Sequence, residues 1–128
     1  MLETSCCGGD ALILACSGGS NVGQIANEAA KALTQLGQGK MYCAVGVAAG
    51  LPSFIEKTQQ AATCVAIDGC PVGCVKKALA DISVEPEVYV VVTELGIAKQ
   101  PGFDVSQEQI AEVVGAVGDA LQAKNTSE

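Results

Sequence analysis

The chain alternates four apolar runs of strand length with segments of helical periodicity, and this alternation limits its fold more than any other feature. The runs, at residues 11–16, 40–45, 63–67 and 88–93, are almost entirely apolar. Strands of this kind are typical of parallel sheets that helices cover on both faces. The pattern therefore predicts a single α/β domain over residues 1–128, with a four-stranded parallel sheet in a Rossmann-like, three-layer arrangement.

The segments between the runs carry helix start signals. The first helix is predicted to begin at Ser20 or Asn21 and to end before Gly37, and the third is predicted to open at Pro71. Two capping boxes are expected, Ser53 with Glu56 in the second helix and Ser106 with Gln109 in the fourth. Residues 1–9 and 125–128 are predicted to be tails. The side chains expected on buried helix faces are Val22, Ile25, Ala29, Ala32, Leu33, Leu36, Val72, Val75, Leu79, Ile82, Ile110, Val113, Val114, Val117 and Leu121.

Charge and composition exclude several classes of function. All seven basic residues are lysines, the formal net charge is -7, and the chain has no histidine. Without arginine, and with a negative overall field, the chain is poorly suited to nucleic acids or anionic membranes. Without an imidazole, Ser-His-Asp and Cys-His catalysis and histidine-ligated zinc are impossible within this chain. A metal ion must therefore be held by sulfur and oxygen, and the acidic surface leaves room for a protein partner of basic character.

The N-terminal residues do not resemble an export signal, because residues 1–10 carry acidic rather than basic side chains. The longest uncharged central stretch, 41–55, is too short to span a bilayer and contains Gly46, Gly50 and Pro52. We therefore expect a cytoplasmic protein without a membrane span. Seven cysteines in a reducing compartment indicate metal binding or redox chemistry rather than structural disulfides.

The predicted topology sorts the cysteines by position. Loops that follow parallel strands emerge at one edge of the sheet, where ligands of α/β proteins bind. Cys64, at the start of the third run, is expected in the core. Cys6 and Cys7 lie in the predicted N-terminal tail, where they are either further ligands or exposed thiols. The cysteines expected to converge at the carboxyl edge are Cys16, Cys43, Cys70 and Cys74.

The segment 68–74, DGCPVGC, is the most informative in the chain. A C-x3-C spacing at a helix start puts both sulfurs on one side of the first turn, within reach of a shared ion. Asp68 and Glu94 are predicted at the same edge, where either could orient a metal site or supply an oxygen ligand. The alternative interpretation is an ordinary loop with incidental cysteines.

The glycine-rich turn at residues 16–24, CSGGSNVGQ, could hold an anion on its backbone amides. It is not a P-loop, because Gln24 and Ile25 stand where lysine and serine or threonine are needed. It also lacks the arginine of cysteine phosphatases and arsenate reductases, since Val22 occupies that position. The remaining role for Cys16 is that of a metal ligand or a redox nucleophile.

The motifs CSGGSNVGQIAN, MYCAVG, IDGCPVGCVKK and VVTELGIAK, in this order between residues 16 and 99, resemble the DGC-domain family, which is named for its Asp-Gly-Cys motif. The resemblance implies a zinc-binding protein with four chelating cysteines and no assigned cellular role. Matched by position, the implied zinc ligands are Cys16, Cys43, Cys70 and Cys74.

We therefore predict one zinc ion on four cysteines, with an iron-sulfur cluster as the less favoured cofactor. A closed site of four thiolates has no open position for a metal-bound water, which favours binding over catalysis. Two alternatives use the same cysteines: a thiol-disulfide redox protein, and a carrier or sensor of a metal or metalloid.

Overall fold

The computed structural model describes residues 11–126, and it is an α/β fold built on one sheet of four parallel strands. The strand order is β2-β1-β3-β4, so the second strand in sequence lies at one edge and the first and third form the centre. This confirms the predicted fold class. The strands are β1 Ala11–Ala15, β2 Lys40–Met41, β3 Thr63–Asp68 and β4 Val88–Val91.

Helices cover both faces of the sheet and divide the core into two parts. Helices α1 (Asn21–Gln35) and α5 (Gln107–Thr126) pack on one face. Helices α2 (Ala44–Ala48), α3 (Pro52–Gln60) and α4 (Cys74–Asp81) pack on the other. Successive residues of a strand pack on opposite faces of the sheet, as Ile13 and Leu14 of β1 do. Within residues 11–126, no helix is long and apolar enough to cross a membrane.

Two predicted helix starts are confirmed by their hydrogen bonds. The Ser20 hydroxyl accepts from the backbone N–H of Gly23 at 3.2 Å and caps α1. The Ser106 hydroxyl accepts from the N–H of Gln109, and the Gln109 side chain accepts from the N–H of Ser106, both at 3.1 Å. The capping box predicted at Ser53 is wrong, because the N-cap of α3 lies two residues earlier, at Leu51, and has no side-chain cap.

The second strand is shorter than the predicted 40–45. After the N–H of Tyr42 donates to the carbonyl of Ile13 at 2.8 Å, the chain turns into α2 with Cys43 at its N-cap. Gly46 permits this helix to pack against α3, since a Cβ there would lie 2.5 Å from the Phe54 ring. The prediction that Cys43 lies within the second strand is therefore wrong.

The third predicted helix begins later than expected. Gly73 adopts a left-handed conformation, φ +69°, and α4 starts at Cys74 rather than Pro71. Val72 is consequently 54% exposed instead of buried. Leu36, the C-cap of α1, is likewise exposed rather than part of the buried face.

The remaining differences lie at element ends. β4 ends at Val91 and continues as a 3₁₀ helix, Val92–Leu95. The fourth helix continues through Asn125 and Thr126, two residues into the predicted C-terminal tail. The predicted tail at 1–9, with Cys6 and Cys7, lies outside the described residues.

Candidate functional site

The carboxyl edge of the sheet carries all four cysteines that the sequence predicts as ligands. Cys16 directly follows β1 and is half-buried, and Cys70 occupies a similar, half-buried position just after β3. Cys43 and Cys74 are exposed, the first at the N-cap of α2 and the second at the first residue of α4. All four positions are therefore on loops or at helix starts.

Cys16 lies in a loop that backbone contacts hold tightly. Its sulfur accepts a hydrogen bond from the N–H of Gly18 at 3.3 Å. The Gln24 side chain donates to the carbonyls of Ser17 and Gly18, both at 3.1 Å. A Cβ on Gly23 would lie 2.8 Å from the backbone of Gly18, so glycine is required where the loop folds back on α1.

The loop that carries Cys70 packs against the same end of α1. A Cβ on Gly69 would lie 2.9 Å from the backbone nitrogen of Gly23, and this close approach explains the glycine of the Asp-Gly-Cys segment. The Cys16 and Cys70 loops are thus brought side by side over the first turn of α1.

Asp68 connects the end of β3 to the start of α4. Its carboxylate is buried and accepts three hydrogen bonds, from the N–H of Val75 at 2.9 Å, the N–H of Lys76 at 3.1 Å and the hydroxyl of Tyr89 at 2.8 Å. Both oxygens are therefore engaged with protein donors, and Asp68 orients α4 and Cys74 rather than pointing at a ligand. Burial and the hydrogen bond to Asp68 raise the pKa of Tyr89.

Lys99 and Asn21 are site residues that the sequence reasoning did not single out. The Lys99 ammonium lies 3.5 Å from the Cys70 sulfur. The buried Asn21 amide holds the Lys99 segment in place: it donates to the carbonyl of Ala98 at 2.9 Å and accepts from the N–H of Gln100 at 2.6 Å. In the sequence, Asn21 lies in the glycine-rich turn at residues 16–24 and Lys99 ends the motif VVTELGIAK, and these two positions were the signal that could have identified them.

Two other predicted positions have different surroundings. Glu94 is exposed in the 3₁₀ helix after β4. Cys64 is buried in the core beneath α2, α3 and α4, as expected. Burial, with a smaller contribution from the charge of Glu87, raises the pKa of the Cys64 thiol to about 11.

We expect the raised pKa of Cys64 to make the free energy of unfolding fall at alkaline pH. The folded chain holds the thiol proton more tightly than the unfolded chain, whose pKa is 9.0. This contribution, roughly 1 to 2 kcal/mol after solvent screening, is fully present below pH 9 and is lost as pH rises through 11. Urea unfolding between pH 8 and 11 measures it. Cys64→Val removes the titrating group, so an identical pH profile in this variant would contradict the expectation.

The predicted metal ligands lie at one edge of the sheet without forming a compact cluster. Cys16 and Cys74 line one cavity of about 260 Å³ between β1, α2 and α4. Cys43 and Cys70 do not line it. Among residues 11–126, no three or more cysteine, aspartate or glutamate side chains are grouped closely enough to hold a metal ion.

Comparison with known proteins identifies the family. A model of the DGC domain matches residues 12–117, a range that includes Cys16, Cys43, Cys70 and Cys74. The chain belongs to the DGC domain family. Over 93 residues it is 38% identical to a protein of Pseudomonas aeruginosa strain PAO1, the anaerobic and virulence modulator AnvM. That alignment covers 73% of this chain and 71% of AnvM. No solved structure matches the chain.

Proposed function

We propose that this DGC domain binds one thiophilic metal ion, preferentially zinc, through Cys16, Cys43, Cys70 and Cys74. The observation that carries the proposal is the position of these thiols, each at the carboxyl end of a strand or at the start of the helix that follows. Thiolates are the ligands that zinc prefers in closed, tetrahedral sites, and the chain has no histidine to replace them. Sulfur-only coordination would also suit an iron-sulfur cluster, which has a visible absorption that zinc lacks.

Hydrogen-bond donors beside the sulfurs support this assignment. Four thiolates around a divalent ion leave a net negative charge, which nearby donors stabilise. The N–H of Gly18 donates to Cys16, and the Lys99 ammonium donates to Cys70.

Metal binding must draw the four sulfurs together, because the described residues contain no compact group of three ligands. The exposed positions of Cys43 and Cys74 give these side chains room to turn inward. Coupling between binding and local ordering is common where no site is preformed. It would make the conformation of this edge depend on whether the ion is bound.

A regulatory role is the cellular function that fits such coupling. The relative from Pseudomonas aeruginosa is called a modulator, and its name refers to no reaction. A fully closed set of four thiolates likewise offers no open position for catalysis. We therefore propose that this chain acts through binding and conformation rather than through turnover.

The proposal predicts one zinc ion per chain and joint protection of four thiols. Because all four sulfurs become ligands together, zinc should suppress alkylation of Cys16, Cys43, Cys70 and Cys74 in parallel. Elemental analysis of protein purified without added metal gives the occupancy, and mass spectrometry of alkylated peptides gives protection at each site. Alkylation of all four at free-cysteine rates in zinc-loaded protein would contradict the assignment.

A thiol redox function is the second candidate, and the cavity shared by Cys16 and Cys74 favours it. A redox pair needs two accessible thiols rather than four. The same experiment separates the two functions, since a chelator should release four protected thiols from a metal site. Release of only two, together with sustained turnover of a disulfide substrate by metal-loaded protein, would favour the redox function.

A further inference from the structure

The cavity between β1, α2 and α4 combines two thiols with an otherwise apolar wall. Cys16 and Cys74 contribute the sulfurs, and most of the remaining wall consists of small apolar side chains, including Ala44, Ala48 and Ala78. No charged side chain among the described residues lines it. Its volume, about 260 Å³, exceeds the roughly 150 Å³ of an apolar cavity that accommodates benzene.

These features are more than a zinc ion needs. A bare divalent ion gains nothing from an apolar wall, and a free hydrocarbon gains nothing from two thiols. A neutral molecule with a thiophilic central atom, two exchangeable ligands and one small apolar substituent would contact both thiols and the apolar wall. A monosubstituted trivalent organoarsenical, R–As(OH)2, has this chemistry.

We propose that the cavity binds a monosubstituted trivalent organoarsenical through Cys16 and Cys74, with its organic group against the alanine-rich wall. The step is a ligand exchange without electron transfer. Two As–O bonds break, two As–S bonds form, and each thiol proton leaves with a hydroxide as water. Arsenic remains trivalent, so no oxidant or reductant is required. The inference rests on the proposed function only in that the same sulfurs act as soft ligands.

The test uses phenylarsine oxide and arsenite on the full, metal-free chain carrying Cys6→Ser and Cys7→Ser, because those two cysteines lie outside the described residues. Native mass spectrometry and thiol counting should show one phenylarsenic group and two consumed thiols. Phenylarsine oxide should bind about ten-fold to a hundred-fold more tightly than arsenite, because only its ring enters the apolar cavity. Cys16→Ser or Cys74→Ser should weaken binding at least about a hundred-fold by removing one of two linked contacts.

Filling the cavity tests the role of its apolar wall. Ala78→Leu and the more exposed Ala48→Leu should lower the preference for phenylarsine oxide over arsenite about ten-fold. Ala80→Leu, an exposed position on α4 outside the lining, is the matched control and should leave the preference unchanged. Unaltered binding in Cys16→Ser or Cys74→Ser, or an unaltered preference in both filling variants, would overturn the proposal. Zinc titration of the same proteins tests the proposed zinc site separately. Failure of the arsenical proposal can therefore be told apart from failure of the proposed function.

Discussion

Cys70→Ala is expected to lower the affinity for zinc roughly a hundred-fold or more. Removing one of four thiolates leaves an incomplete coordination sphere and also removes the sulfur beside the Lys99 ammonium. Competition with a chromophoric chelator measures the change in affinity, and elemental analysis of the purified variant measures the loss of bound metal. Circular dichroism of the metal-free protein checks that the fold is retained.

Cys64→Ala is the matched control for this experiment. Cys64 is buried in the core and lies away from the carboxyl edge, early in β3. The substitution should cost about 1 kcal/mol of stability through lost packing and leave zinc content intact. Equal loss of metal in both variants would be incompatible with the ligand set Cys16, Cys43, Cys70 and Cys74.

Asp68→Ala is expected to lower the free energy of unfolding by about 3 to 4 kcal/mol. The carboxylate satisfies the N–H groups of Val75 and Lys76 and the hydroxyl of Tyr89, and alanine would leave all three without this acceptor. The expected loss is a large fraction of the stability of a domain of this size. Urea denaturation of the metal-free protein measures it without a contribution from bound ion.

Two further substitutions distinguish the loss of the hydrogen bonds that cap α4 from the loss of a negative charge. Tyr89→Phe removes one of the three hydrogen bonds and should cost only about 1 kcal/mol. Asp81→Ala removes an exposed carboxylate at the other end of α4 and should change stability by less than about 0.5 kcal/mol. A loss in Asp68→Ala no larger than that in Asp81→Ala would refute the role of Asp68 as the acceptor that holds α4.

Local periodicity was sufficient to predict most of the fold. The four apolar runs correspond to the four strands, and the stripe that includes Ile110, Val113 and Val117 is buried in α5. Start signals were reliable where a side chain can cap its own helix, as at Ser20 and Ser106. These features depend on residues that are near each other in the chain, so they can be predicted from the sequence.

Packing between distant segments decided the positions where the prediction was wrong. Residues 42–45 have a strand-like apolar pattern, yet the approach of Gly46 to Phe54 favours the short helix α2. The start of α4 is set by a carboxylate six residues earlier, Asp68, which bonds to Val75 and Lys76. The helix-capping patterns that can be recognised in a sequence do not include a cap supplied by a residue of the preceding strand.

The sequence by itself determined the α/β class, the parallel sheet and the presence of cysteines after its strands, because these follow from periodicity and the direction of parallel strands. Only the tertiary structure decided which groups meet at that edge. Asn21 binds the backbone on both sides of Lys99, more than seventy residues later in the chain, and Lys99 contacts Cys70. β1 and α4 bring Cys16 and Cys74 to one cavity. Such contacts depend on how helices and loops pack over the sheet, which no local pattern encodes.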